Sequence, residues 1–251
     1  MDHHKPNTLV PDEIIRPDVL LCCGEDEVEM LTELRSILGS ETPRLAHSYR
    51  CYRFFLNSWF TLVWTGIGTG CLEPLLFEIL GTGRVKRIIL VGTAGATSSA
   101  RERMIKGEAY LINEATLIAS GIRPHDEKLL SPSWKGGALI NLKTARIASS
   151  DYYYGFSLRD DPATIRLRSA DAVLKEQVAN TLSRVDLVDM EVAQFYHLCQ
   201  VIGDPNLQFV AIKGPANAVG RFEEQSTHSA SVLGSTLSKG LELIGFTNKN
   251  D

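Results

Sequence analysis

The sequence predicts an α/β fold, a sandwich of helices on a mixed sheet. Three observations predict it. Short apolar stretches without strict alternation, at Val19–Cys23, Ile88–Val91 and Gln208–Lys213, read as strands buried on both faces. Segments with apolar residues at helical spacing lie between them, as in Glu25–Leu38 and Asp171–Leu182. Small residues follow the central strand, in Gly92-Thr93-Ala94-Gly95-Ala96. They let a backbone pass close to a ligand, and open α/β sheets bind ligands at the carboxyl ends of their strands.

Taken in order, residues 1–18 form an irregular arm, since Pro6, Pro11 and Pro17 oppose regular structure. Residues 19–251 form a single domain. Val19–Cys23 is its first strand. The helix after it has Val28, Leu31, Leu34 and Leu38 on its apolar face, acids Glu25, Asp26, Glu27 and Glu29 at its start, and Gly39 as its stop. Arg44–Phe55 and Trp59–Trp64 are two strands around a turn at Leu56-Asn57-Ser58. Gly66-Ile67-Gly68-Thr69-Gly70 opens a helix over Cys71–Leu80, with Pro74 in its first turn. Such a glycine-rich turn alone is a weak phosphate signal. Beyond the central strand, Glu108–Ile118 and Ala138–Ser149 are strands, and Ser149-Ser150-Asp151-Tyr152-Tyr153-Tyr154 ends the second with tandem aromatics suited to a flat ligand or a neighbouring subunit. Val185–Val188 is a short strand leading through Asp189-Met190-Glu191 into a helix that ends near Ile202. Gly214-Pro215-Ala216-Asn217 follows the Gln208–Lys213 strand, and a last helix covers Thr227–Ile244.

Composition excludes several classes. With 251 residues, 44% of them hydrophobic, the chain can bury one full core. A net charge of -4 offers no general basic face to nucleic acid or to a membrane. The five cysteines are odd in number and mostly sit in apolar segments, so they read as reduced residues of a cytoplasmic protein. No cysteine or histidine spacing suggests a metal site, and no metal or other cofactor is expected.

Taken with VGTAGA and GIGTG, the stretch VDMEVA around Glu191 resembles the nucleoside phosphorylase and nucleosidase superfamily, whose members cleave the N-glycosidic bond of nucleosides. The resemblance implies a mixed, partly barrel-like central sheet flanked by helices and assembly as a homo-oligomer. It implies that Glu191 accepts hydrogen bonds from the ribose diol, with Met190 packed on the sugar. A carboxylate suits a diol because it is a bidentate acceptor, and it can stabilise positive charge on the ribosyl ring. Tyr153 would stack on the base, Thr93 would face phosphate or attacking water, and Gly68 and Gly95 would line the substrate.

Three positions depart from the family pattern. Leu90 replaces an arginine found before the VG of many phosphorolytic members, and Val28 stands where hexameric phosphorylases carry another. Without those clamps a phosphate dianion is poorly held, unless Arg44, Arg50 or Arg53 substitutes. The stretch CGEDEVEML is instead similar to the start of the methylthioadenosine/adenosylhomocysteine nucleosidases, which implies Glu27 as general base on water. Finally, Ala216-Asn217 occupies the place of the Ser-Asp pair that protonates a purine, and Asn217 can hydrogen-bond a base but cannot give it a proton. Uridine phosphorylases share the asparagine and use a glutamine-arginine pair, of which only Arg159 survives here, so the base stays open. The reading is an enzyme that hydrolyses a nucleoside, with phosphate-dependent cleavage as the alternative and a catalytically inactive nucleoside-binding protein as a second one.

Overall fold

The computed structural model describes residues 10–24, 26–118, 129–135, 142–150, 179–219 and 225–246. Its strands are β1 (Asp18–Cys23), β2 (Arg44–Tyr49), β3 (Tyr52–Leu56), β4 (Phe60–Trp64), β5 (Arg87–Ala96), β6 (Tyr110–Leu117), β7 (Thr144–Ser149), β8 (Leu187–Asp189) and β9 (Gln208–Ala218). Its named helices are α1 (Glu27–Leu38), α2 (Thr69–Gly81), α3 (Val192–Ile202) and α4 (Gln225–Leu243). Residues 179–184, the end of the Asp171–Leu182 expectation, are helical, and 171–178 lie outside the described residues.

All nine strands belong to one mixed sheet in the order β2-β3-β4-β1-β5-β8-β7-β6-β9. A further pairing of β5 with β9 closes β5, β8, β7, β6 and β9 into a five-stranded barrel, so the expected partly barrel-like sheet is present. β1 pairs parallel with β4 and β5, and β5 pairs parallel with β9. β8 runs against β5. The carboxyl ends of β1, β4, β5 and β9 therefore share one rim.

Alternation along the strands divides the core. Val19, Leu21, Ile88, Leu90, Phe209 and Ala211 pack with Leu75 and Leu76 of α2 and Phe195 and Tyr196 of α3. Leu20, Cys22, Ile89, Val91, Val210 and Ile212 pack with Met30 and Leu34 of α1 and Leu233 and Leu237 of α4. Helices thus cover both faces, which is why these strands carry apolar residues on both sides.

Several elements differ from the sequence reading. Arg44–Phe55 is not one strand but the hairpin β2–β3, because the chain reverses at Arg50, whose φ of 51° is left-handed. Of the expected apolar face of α1, Leu34 is buried and Leu31 and Leu38 pack against the core, but Val28 is 71% exposed and Met30 is buried in its stead. Pro74 lies inside α2 rather than at its start, since the helix begins at Thr69. Within the arm, Val10, Ile14 and Ile15 are buried in the core, and Asp12–Ile14 forms a 3-10 turn. The largest correction concerns β5 and β9. Neither stops at its small residues: β5 continues through Gly92-Thr93-Ala94-Gly95-Ala96, and β9 through Gly214-Pro215-Ala216-Asn217. The two segments pair with each other across a bulge at Ala94/Gly95.

Gly92 shows why a side chain is excluded there. A Cβ would lie 2.5 Å from the Cys23 carbonyl oxygen and 3.2 Å from Lys213 Nζ. Gly92→Ala is expected to destabilise the protein by about 3 kcal/mol, the upper part of the range for overpacked cores. A urea midpoint equal to that of the parent chain would show that β1 and β5 can move apart freely.

Candidate active site

The site is built where the parallel rim meets the reversed strand β8. Because β8 runs against β5, its end carries Asp189 back toward the middle of the sheet. Met190 and Glu191 follow, and Glu191 is the N-cap of α3. Its carboxylate is 4% exposed. Oε1 accepts from the Gly68 backbone N–H at 2.8 Å, and Oε2 accepts from Lys213 Nζ at 3.0 Å.

Lys213 is the residue that sequence reasoning passed over. It follows Phe209 and Ala211 on the same face of β9 and is 1% exposed. Besides Glu191, its ammonium meets Asp189 Oδ2 at 3.1 Å. Asp189 also accepts from the Ser149 hydroxyl and from the Val192 N–H at 3.1 Å. The Ser149 oxygen accepts in turn from the Ala193 N–H at 2.8 Å. One buried cation therefore faces two buried carboxylates, and the first serine of the tandem Ser149-Ser150 pair is a structural partner of Asp189. The available signal was a lysine ending an otherwise apolar run, which reads as a strand terminus rather than as a charge held inside.

Electrostatics reflect this packing. Burial opposes the charge on Lys213, but Glu191 and Asp189 beside it hold its pKa above the usual lysine value. Burial pushes the Asp189 carboxyl up, against the pull of Lys213. At the end of β1, burial and the Glu191 charge raise the Cys23 thiol well above its ordinary value. Its sulfur and the Thr65 hydroxyl share a hydrogen bond at 3.0 Å.

The other expected residues fall into small groups on this end of the sheet. Met190 lies against Gly68, its Cε 3.8 Å from where a Cβ would stand. Asn217 is buried and paired with Gly95, its Oδ1 3.4 Å from the corresponding Cβ position. Thr93 is half-buried on β5, in register with Gly214. Glu27 begins α1, where Asp26 Oδ1 caps the helix by accepting from the Val28 and Glu29 N–H groups. Arg53 of β3 stands beside it, with Nε 3.8 Å from Glu27 Oε2. The Arg53 Nη1 is held by the Arg50 and Tyr52 carbonyls at 2.8 and 3.0 Å. Both side chains are 34% exposed, so this pair adds little stability and matters for where it puts an arginine. Tyr153 and Arg159 lie outside the described residues. Among the described residues no group of His, Cys, Asp and Glu is placed to hold a metal ion, and no helix is long and apolar enough to cross a membrane.

No family model matches the sequence, and no curated protein matches it. Solved structures do match. The 5'-methylthioadenosine/S-adenosylhomocysteine nucleosidase from Helicobacter pylori aligns with a TM-score of 0.65 at 12% identity, covering 91% of this chain and 98% of that one. Futalosine hydrolase from Helicobacter pylori, as a mutant, aligns at 0.65 and 13% identity, over 90% and 97% of the two chains. The 5'-methylthioadenosine nucleosidase from Arabidopsis thaliana aligns at 0.65 and 16% identity, over 93% and 98%. Closed barrel, flanking helices and near-complete overlap agree: the chain has the fold of the nucleoside phosphorylase and nucleosidase superfamily.

Proposed function

We propose that this protein hydrolyses the N-glycosidic bond of a nucleoside. What carries the proposal is the buried Glu191 carboxylate, fixed by Gly68 N–H and Lys213 Nζ, one donor to each oxygen. A carboxylate has about four lone-pair positions, so each oxygen keeps one for a hydroxyl of the ribose diol. Fixed negative charge there stabilises the ribosyl ring as it turns cationic, and it needs no rearrangement during the reaction. In this scheme Met190 and Gly68 pack on the sugar. Glu27 takes a proton from water, Thr93 orients that water, and Asn217 with Gly95 contacts the leaving base. Tyr153 stacks on the base and Arg159 meets its edge. The similar structures are named as nucleosidases and a hydrolase, which supports water as the acceptor. The scheme extends to a cytoplasmic homo-oligomer that works without a cofactor.

One observation favours phosphate as the acceptor instead. Arg53 stands beside Glu27, where an arginine could hold an anion. Base release from a panel of purine and pyrimidine nucleosides, methylthioadenosine among them, with and without phosphate, decides between the two. Hydrolysis predicts the free sugar, ribose or 5-methylthioribose, under both conditions. Ribose 1-phosphate, formed only with phosphate, would establish phosphorolysis. Saturable binding with no base released would mean a nucleoside-binding protein.

A further inference from the structure

The polar network of the site is not neutral. Asp189 accepts from Ser149, the Val192 N–H and Lys213, and Glu191 accepts from the Gly68 N–H and Lys213. Every one of these partners is a donor, so both groups are held as carboxylates. Among the described residues Lys213 is the only cation that meets them. Burial keeps the nearby Cys23 thiol protonated, and Glu27 and Arg53 offset each other. The centre of the site therefore carries a surplus of one buried negative charge. Such a surplus favours a ligand that brings the opposite charge.

A second observation comes from the far side of the site. Asn217 stands four residues beyond Lys213 on β9, roughly 10 Å of strand once the bulge is allowed for. It is 6% exposed, and among the described residues its amide has no hydrogen-bond partner. Its Oδ1 lies over Gly95, 3.4 Å from where a Cβ would stand. A buried amide without a partner is costly unless a ligand completes it. An amide can donate a hydrogen bond to a base, but it has no proton to give up.

We propose that the site takes nucleosides whose base already carries a positive charge in the ring joined to ribose, as ribosylpyridinium salts and N7-alkylated purine nucleosides do. The inference rests on the hydrolytic reading above, with Glu191 under the ribose and Asn217 at the base. Water adds to C1′ while the C1′–N bond breaks and its electron pair returns to the ring. The base thereby becomes neutral and leaves without a proton. Glu27 takes one proton from the water and passes it to solvent, so the cation and water give ribose, a neutral base and a proton. As the bond breaks, positive charge moves from the base to the ribosyl ring beside Glu191, and the attraction grows toward the transition state. A neutral nucleoside would instead expel its base as an anion, which calls for a proton that Asn217 lacks.

The test compares base release by the parent chain from two cations, 7-methylguanosine and 1-ribosylpyridinium, and three neutral nucleosides, guanosine, uridine and methylthioadenosine. It is run in mild acid, where 7-methylguanosine is a cation, and the uncatalysed reaction is subtracted. Expected is a kcat/KM for both cations at least about 10²-fold above that for every neutral nucleoside, the lower end of what a general acid contributes. Asn217→Asp restores a group that can carry a proton. It should raise guanosine cleavage by tenfold or more, with a rate that climbs as pH falls. The comparison on the parent chain stands whether or not that variant folds. Any neutral nucleoside cleaved as fast as the cations would overturn this substrate class and leave the hydrolase standing. Release of base from none of the five would overturn the hydrolytic reading itself.

Discussion

Glu191→Gln is expected to lower nucleoside cleavage by roughly 10³-fold while the protein stays folded. The substitution keeps the shape of the side chain. An amide oxygen can still accept from the Gly68 N–H, and Lys213 keeps Asp189 as its partner. What disappears is the negative charge under the ribosyl ring and one of the two acceptors for the diol. Both act on the transition state more than on the bound nucleoside, so kcat should fall further than KM rises. Circular dichroism and base release on the same preparation check the result. A folded variant that retains activity within tenfold of the parent would remove Glu191 from the reaction.

Lys213→Met should be the most damaging single change to stability, by about 3–5 kcal/mol, because it leaves Asp189 and Glu191 buried without their cation. For a chain of this length that corresponds to a fall in Tm of roughly 10 °C or more. The pH dependence carries a defined sign. Lys213 has a raised pKa in the folded protein, so its contribution is fully present below the ordinary lysine value of 10.5 and is lost as pH rises through the folded value. The deficit of the variant should therefore be full at neutral pH and shrink in strong alkali. It should shrink in acid too. Burial raises the Asp189 carboxyl above its ordinary 3.8, and without the Lys213 charge only the hydrogen bonds from Ser149 and the Val192 N–H oppose that rise, so protonation relieves the variant as pH falls. Urea midpoints of both proteins across the pH range test this. Equal midpoints at neutral pH would mean that the Lys213 ammonium is not what holds Asp189 and Glu191 in the core.

Much of the framework was legible in the sequence, for local reasons. Ile88–Val91 is apolar on both faces and became the middle of β5, and Asp189-Met190-Glu191 does lead into a helix. Gly39 does end α1, with a φ of 55°. What failed depended on distant partners. The small residues after Val91 and Lys213 read as strand exits, yet they remain strand because each segment completes the other's hydrogen bonds. At Arg50 a single left-handed residue splits a stretch whose composition is uniformly strand-like. The site divides the same way. Met190, Glu191 and Gly68 stand in recognisable motifs and do come together. Lys213 and Ser149 matter through residues far along the chain, and no local spacing reveals that.

Among the described strands, β5 has a place that no other shares. It belongs to the open sheet through β1 and to the closed ring through β8 and β9. A slip of one residue along β5 would have to break ladders on both sides at once and would turn its buried residues to the opposite face. The floor beneath a bound ligand therefore behaves as a fixed keel. Opening such a strand requires loss of most of the core, which places it among the last parts of the molecule to unfold. Accommodation of different ligands then belongs to the segments that leave the sheet, such as Gly66 to Gly68, and not to the sheet itself.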